Sequence, residues 1–396
     1  MTKNSLKNGP DELGYYGEGE SAMGGMAVGE TLMPALHELN LAFEDAIKDK
    51  AFLDEFAYYC KHYIGRPSPL YYAENLSNKL GGAKILFKQE HLNHTGSHKI
   101  TNSLFQVLLA KRMGKKNLIC ESGAGQHFSA TAAVSAAFGI PLLGVMGEVD
   151  IKRVNQNIIK AKHYGAKLKA VPGTLKEAIT DAIKTWITNP DYYYVCGSAV
   201  SSFPFPKIVQ FAQSIIGREI REQCLEQEKK LPNMIIGCVG GGSNFIGSIH
   251  EFLDEPNIKK IGVEAAETAA LTHGTPNIMQ GMKSYMLASS DGSKSLGGSS
   301  LGAGIQYFGV GPQHSYLKDQ GAVTYTSATD KEILNAYKVV AQTEGICSAL
   351  EPMAAAAEVL KQAKGKPKDF IIVLSLCGRG EKDLDTIEEH MGKDIE

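Results

Sequence analysis

From Lys84 onward, apolar runs of strand length alternate with stretches of helical periodicity, and this rhythm narrows the possible folds more than any other feature. Strand candidates are 83–88, 117–121, 141–146, 166–170 and 192–196, with helices near 99–113, 126–138, 151–163 and 174–187 between them. A second set follows: helix 207–228, strand 233–239, helix 244–253, strand 259–264, helices 331–344 and 352–364, and strand 369–376. Strands alternating with helices predict mostly parallel sheets covered on both faces, an α/β fold. Two such sets predict two three-layer αβα domains with a cleft between them. Upstream, helices are expected near 31–50 and 51–63, and Arg66-Pro67-Ser68-Pro69 forces an extended connection. Residues 1–30 read as irregular. The Gly- and Ser-rich stretch 265–330 reads as a loop-rich insertion or a cleft wall.

The chain has 396 residues, enough for two domains and a sizeable core. A formal net charge of −2 argues against general affinity for nucleic acid or an anionic membrane. No apolar run is long enough to span a bilayer, and the start has no signal-peptide core. The seven cysteines are scattered, mostly in apolar runs and without a CxxC pair. That pattern suits reduced thiols in a cytoplasmic protein better than disulfides or a metal site.

Three turns carry the chemistry. His94-Thr95-Gly96-Ser97-His98-Lys99 lies between the apolar run 83–88 and a helix in which Ile100, Leu104, Phe105, Val107, Leu108 and Leu109 face inward. A lysine at such a junction, desolvated by apolar neighbours, can form a Schiff base with a carbonyl cofactor. A solvated lysine in a polar turn is the plainer alternative. Gly240-Gly241-Gly242-Ser243-Asn244 follows an apolar strand and opens a helix, so backbone amides and the helix dipole can cradle a phosphate. Ser243 and Asn244 could add side-chain donors. The spacing is neither GxxxxGK[ST] nor GxGxxG, which favours a monophosphate over a nucleotide. Glu121-Ser122-Gly123-Ala124-Gly125-Gln126-His127 is a second such turn. Its amides suit a substrate carboxylate, and Glu121 ends a strand where a carboxylate can act as acid or base. A helix-capping turn with a solvated glutamate is the alternative. Cys377 ends the last strand, where a small polar side chain could meet a heterocycle nitrogen or simply be buried.

A Schiff-base lysine, a monophosphate cradle and a carboxylate-binding turn together point to pyridoxal 5′-phosphate and an amino-acid substrate. The sequence resembles the tryptophan synthase β chains, of the fold-type II pyridoxal-phosphate enzymes, from about Glu30 to the C-terminus. The resemblance is strongest at Leu92–Lys99, Glu121–His127, Gly240–Asn244 and Thr343-Glu344-Gly345. It implies that Lys99 bonds the cofactor, that His98 lies beside its phosphate, and that Asn102 and Ser198 join the cofactor set. It makes 240–244 the phosphate loop, Glu121 the catalytic carboxylate and 122–127 the site for the serine carboxylate. Glu351 would line the cofactor ring and Cys377 would face its nitrogen. Asp150, Arg153 and Lys176 match a mobile subdomain that communicates with an α chain. The implied domains are 1–64 with 98–212, containing that subdomain near 114–201, and 65–97 with 213–396. The implied reaction is β-replacement on L-serine through an enzyme-bound aminoacrylate, with indole adding to give L-tryptophan and water. A homodimer is implied, and the resemblance leaves room for an α chain and a monovalent cation.

Some positions depart from the family. Cys377 stands for Ser, Phe128 for Gly, and Gln306 for the aspartate that pairs with Arg153 on closure, which removes the charge-assisted part of that bond. Ser201-Ser202-Phe203-Pro204-Phe205-Pro206 replaces GPHPYP, and Met279 and Gln280 stand where aromatics often line the indole path. These changes cluster at closure and nucleophile entry. A different nucleophile, deamination of serine or threonine, and a non-catalytic regulatory relative are therefore the competing readings.

Overall fold

The structure is a computed structural model that describes residues 5–152, 155–289 and 294–391. The chain divides into two compact units: Val28–Pro67 with Asn93–Gly197, and Met1–Ala27, Ser68–Leu92 and Ser198–Glu396.

The unit built from Val28–Pro67 and Asn93–Gly197 holds a parallel sheet in the order Lys167–Val171, Leu142–Gly147, Asn117–Glu121, Tyr192–Tyr194. Neighbouring residues of a strand face opposite ways, and both faces are covered. Cys120 and its partner Gly144 face the helix Gln126–Phe138: a Cβ on Gly144 would lie 2.2 Å from the Phe128 ring. Phe128, where the family has Gly, is thus fully buried core, set over a residue with no side chain. On the other face, Ile119 pairs with Tyr194, whose ring lies 5.8 Å from Trp186 in the helix Leu175–Thr188.

The helix Lys99–Arg112 was expected to show one apolar face. Instead every residue from Ile100 to Ala110 is buried, the polar ones included. The helices Met33–Ala46 and Lys50–Tyr59 cover it, placing Phe43, Phe52 and Phe56 edge-on to Phe105 at centroid distances of 6.0, 5.5 and 5.3 Å. Edge-to-face packing of this kind adds about 0.5–1.5 kcal/mol per pair beyond area burial. It fixes the helix that begins at Lys99.

The other unit has a six-stranded sheet ordered Thr324–Ala328, Lys259–Ala265, Met234–Cys238, Ile371–Ser375, Lys84–Lys88, Leu70–Tyr72. All pairs are parallel except the last. Alternate strand residues enter separate cores, which makes three layers. Ile85, Phe87, Ile236, Val263 and Leu374 pack with Ile333, Val340 and Met353, whereas Leu86, Ile235 and Val373 pack with Ile220, Phe245 and Ile249.

Several expectations need correction. Residues 1–30 are not wholly irregular, since Tyr15–Tyr16 and Met23–Gly24 pair and join Met282–Met286 in a small sheet. The stretch 265–330 contains the hairpin Thr275–Met279/Met282–Met286, the helix Pro312–Asp319 and the strand Thr324–Ala328. The expected helix 207–228 is two, Phe205–Gln213 and Ile215–Glu228, parted at Ser214. Residues 1–27 and 198–212 group with the unit of the Gly240 turn, because Met23–Gly24 joins its hairpin and Phe205–Gln213 packs on Ser243–Ile249. No helix among the described residues is long and apolar enough to cross a membrane.

Candidate active site

Two sets of residues stand out, one in each unit. In the first, the chain enters the Lys99 helix through a tight turn in which Thr95 has φ 70 and Gly96 φ 87. A β-branched residue in the left-handed region costs about 1–3 kcal/mol, a strain that collects at functional sites. Past the turn, Lys99 is the first helical residue and its Nζ donates to the Gly197 carbonyl. Glu121, at the end of its strand, is buried and takes hydrogen bonds from Tyr194 and from the backbone of Gly197. Burial raises its pKa to about 7, against the opposing pull of those bonds and the Lys99 charge. Its Oε2 has no partner among the described residues.

The segment 195–197 gathers this set, held by side chains of the Lys99 helix that lie outside the three turns. Asn102 Nδ2 donates to the Cys196 carbonyl at 2.8 Å, Gln106 Nε2 to the same oxygen at 2.7 Å, and Gln106 Oε1 accepts from the Cys196 amide at 3.0 Å. Asn102 and Gln106, amide side chains four apart on this helix, are the signal that could have found it. Asn102 therefore positions the backbone beside Lys99. Gln106 Nε2 also donates to Asn102 Oδ1 at 2.8 Å, so replacing Gln106 by Leu removes three buried hydrogen bonds and should cost about 2–4 kcal/mol, read as a lower denaturant midpoint at unchanged slope. A loss below about 0.5 kcal/mol would show that Gln106 does not hold the segment.

Gly125 caps the helix Gln126–Phe138 at φ 72, and the first amides of a helix have no acceptor within it. These amides remain suited to a carboxylate. Ser122 is buried, Gly123 packs against Leu175, and the Ala124 carbonyl accepts from Asn157 at 3.0 Å. The His127 side chain, by contrast, is committed elsewhere. Its Nε2 meets the Val195 carbonyl at 2.8 Å, and burial, then the Lys99 charge, lowers its pKa to about 3. A neutral imidazole donating Nε2–H fits that geometry. A Cβ on Gly197 would strike the ring at 2.4 Å, so Gly197 is needed there. His98 is buried at the helix N-cap.

In the second set, Gly240, Gly241 and Gly242 connect the strand Met234–Cys238 to the helix Ser243–Ile249. A Cβ would lie 2.6 Å from the Gly304 carbonyl oxygen at Gly240 and 1.9 Å from Ser198 Oγ at Gly241, while Gly242 has φ 90. Only glycine brings the backbone this close. Ser243 is the first helical residue. The Asn244 side chain was expected to face the turn, but it accepts from Ser375 Oγ at 2.8 Å and leans toward Cys238. Its contribution to an anion is confined to its amide. Ser198 Oγ accepts from the Val200 amide at 3.1 Å.

Cys377 is buried with its Sγ 3.6 Å from that of Cys238. Glu351 accepts from the Gly304 amide at 2.8 Å and from Lys382 Nζ at 2.9 Å. Burial pushes its carboxyl up, and the Lys382 ammonium more than offsets this, so the net shift is downward. Its Oε2 also lacks a partner among the described residues. Gln306 donates to the Gly298 carbonyl at 3.4 Å, and Arg153 lies outside the described residues. Asp150 lies in the short helix Glu148–Ile151, and Lys176 in the first turn of the helix Leu175–Thr188. Met279 and Gln280 belong to a hairpin: Gln280 holds its turn at φ 48 and donates to Tyr307 at 3.1 Å, while Met279 packs with Met282, Met286 and Val200. No cluster of His, Cys, Asp or Glu among the described residues could hold a metal ion.

A lysine amine near a buried carboxyl in one unit and a glycine-built turn able to take an anion in the other are groups that a phosphorylated carbonyl cofactor requires, and these residues fit pyridoxal 5′-phosphate. Residues 62–378 match the family described as "Pyridoxal-phosphate dependent enzyme". A crystal structure of a fungal L-serine ammonia-lyase from Rhizomucor miehei shares the fold, with a TM-score of 0.66 over 82% of this chain and 98% of that one, at 18% identity. The class is thus a fold-type II pyridoxal-phosphate enzyme. A "Tryptophan synthase beta chain" of Allorhizobium ampelinum is 47% identical over 401 residues, spanning 98% of this chain and 98% of its own. The chain belongs to the tryptophan synthase β-chain family and is a lyase acting on carbon–oxygen bonds.

Proposed function

We propose that the chain condenses indole with L-serine to give L-tryptophan and water. The observation that carries this reading is the convergence of Lys99 and Glu121 on the Gly197 peptide, with a carboxyl whose pKa is about 7 beside the amine. When bound, pyridoxal 5′-phosphate would withdraw electrons from the substrate α-carbon, making its proton removable and the β-hydroxyl able to leave. Lys99 Nζ would form the covalent link to the cofactor, afterwards take the α-proton, and return it to the α-carbon once indole has bonded to the β-carbon. The amides at the start of Gln126–Phe138 would hold the serine carboxylate. Glu121 would give its proton to the departing hydroxyl, which leaves as water. The carboxylate so formed would accept the proton that indole loses. The Gly240–Asn244 turn would bind the cofactor phosphate. A homodimer, an α-chain partner and a monovalent cation extend the same proposal.

The test supplies L-serine with a panel of nucleophiles, including indole, thiols and amines, and identifies the products. Indole should be consumed fastest. Preference for another nucleophile, or release of a keto acid alone, would replace this reading with one of its competitors.

Cys377 allows a second test. A neutral donor opposite the ring nitrogen leaves that nitrogen unprotonated and favours replacement over transamination, and a thiol can serve as a hydroxyl does, though as a weaker donor. Cys377→Ser should therefore keep the rate and the product. Cys377→Asp should hold a proton on the nitrogen and suppress replacement. Loss of cofactor binding in the first variant, or wild-type products from the second, would remove Cys377 from that position.

A further inference from the structure

His314 lies on the helix Pro312–Asp319, far in sequence from every turn discussed above, and is fully buried. Its Nε2 is 2.8 Å from the Gly242 carbonyl oxygen and its Nδ1 is 2.8 Å from the Tyr325 hydroxyl. A carbonyl can only accept, so Nε2 carries the hydrogen and Nδ1 accepts from Tyr325. Burial lowers the histidine pKa to about 4, which keeps this neutral tautomer in place near neutrality. The ring stacks on Phe245 with a centroid distance of 6.0 Å and an interplanar angle of 3°. It also occupies the space over Gly242, where a Cβ would come within 2.2 Å of it.

The Gly242 carbonyl and the Ser243 N–H share one planar trans peptide, so they point in opposite directions. The Ile246 N–H also donates to this carbonyl, at 2.9 Å, so a helix bond and the His314 bond together hold it, and bonds that fix the carbonyl fix the amide. Glycine at φ 90 has no Cβ to resist rotation of that peptide, and a flipped peptide would turn a carbonyl oxygen toward the anion in place of a donor. We infer that His314, oriented by Tyr325, is a positioning residue that joins the Ile246 backbone bond in holding the Gly242–Ser243 peptide with its amide directed into the phosphate cradle. This rests on reading Gly240–Asn244 as that cradle.

The test compares two ligands on the full-length chain stripped of cofactor: pyridoxal 5′-phosphate and pyridoxal, which lacks the phosphate. Binding is followed by absorbance and fluorescence. His314→Phe keeps an aromatic ring on Phe245 but has no donor. It should lower the ratio of the two affinities roughly tenfold to a hundredfold, with pyridoxal binding little changed. His314→Gln retains a donor and should recover most of the ratio. Tyr325→Phe leaves His314 unoriented and should lower the ratio by roughly three- to tenfold. An unchanged ratio in His314→Phe, or equal weakening of both ligands, would overturn the positioning role. Should His314→Phe not fold, Tyr325→Phe decides in the same two ways. A wild-type chain with no preference for the phosphorylated ligand would instead remove the cradle reading, and this inference with it.

Discussion

Replacing Lys99 by Ala should abolish turnover, because the variant loses both the amine that bonds the cofactor and the base proposed for the α-carbon. Few other changes should act so completely. A positioned acid or base is worth about 10²–10⁴ in rate, and covalent attachment adds to that. The fold should survive, since the packing of Phe105 with Phe43, Phe52 and Phe56 holds the Lys99 helix at a distance from its first residue. Folding is checked by circular dichroism and cofactor attachment by absorbance. Turnover of serine by the variant, or cofactor absorbance like that of the unaltered protein, would show that another lysine carries the chemistry.

Glu121→Ala should lower kcat by about 10²–10⁴ while leaving cofactor absorbance in place, since the carboxyl is assigned to the substrate. The raised pKa adds a second signature. In the unfolded chain a glutamate releases its proton near pH 4.5, but in the folded protein Glu121 holds it to about pH 7. Between those values the folded state binds more protons, so stability falls as pH rises through the window and levels off above it. The fall is on the order of 3 kcal/mol at 1.36 kcal/mol per unit. Glu121→Gln should be more nearly flat across the same range in the cofactor-free protein, as followed by urea titration at each pH. A variant with wild-type kcat and an unchanged stability profile would make Glu121 a bystander.

Much of this was readable from the chain. The strand–helix rhythm from Lys84 onward marked nearly every strand of the two parallel sheets, because parallel strands buried on both faces are continuous apolar runs. The three turns were readable because glycines, polar caps and a lysine at strand–helix junctions carry chemistry in local order. What stayed hidden was long-range or too short for periodicity. Tyr15–Tyr16 and Met23–Gly24 are two-residue strands that exist only through their partners. The Gln280–Gly281 turn uses Gln where Asn or Asp is the usual signal of a two-residue hairpin. The placement of residues 198–212 follows from contact with Ser243–Ile249, beyond an intervening helix and strand. His127 and Asn244 sit within recognisable turns, yet their side chains point to backbone and hydroxyl partners 68 and 131 residues away. Phe128, one of the departures grouped with closure and nucleophile entry, is a core residue whose ring packs over Gly144.

The most direct measurement of the central claim is where the cofactor attaches. The holoprotein is treated with borohydride, which makes the lysine–cofactor bond permanent, then digested and analysed by mass spectrometry. The account predicts a single pyridoxyl-phosphate adduct, on the peptide that contains Lys99. An adduct on any other lysine, or none at all in protein that retains the cofactor, would contradict it.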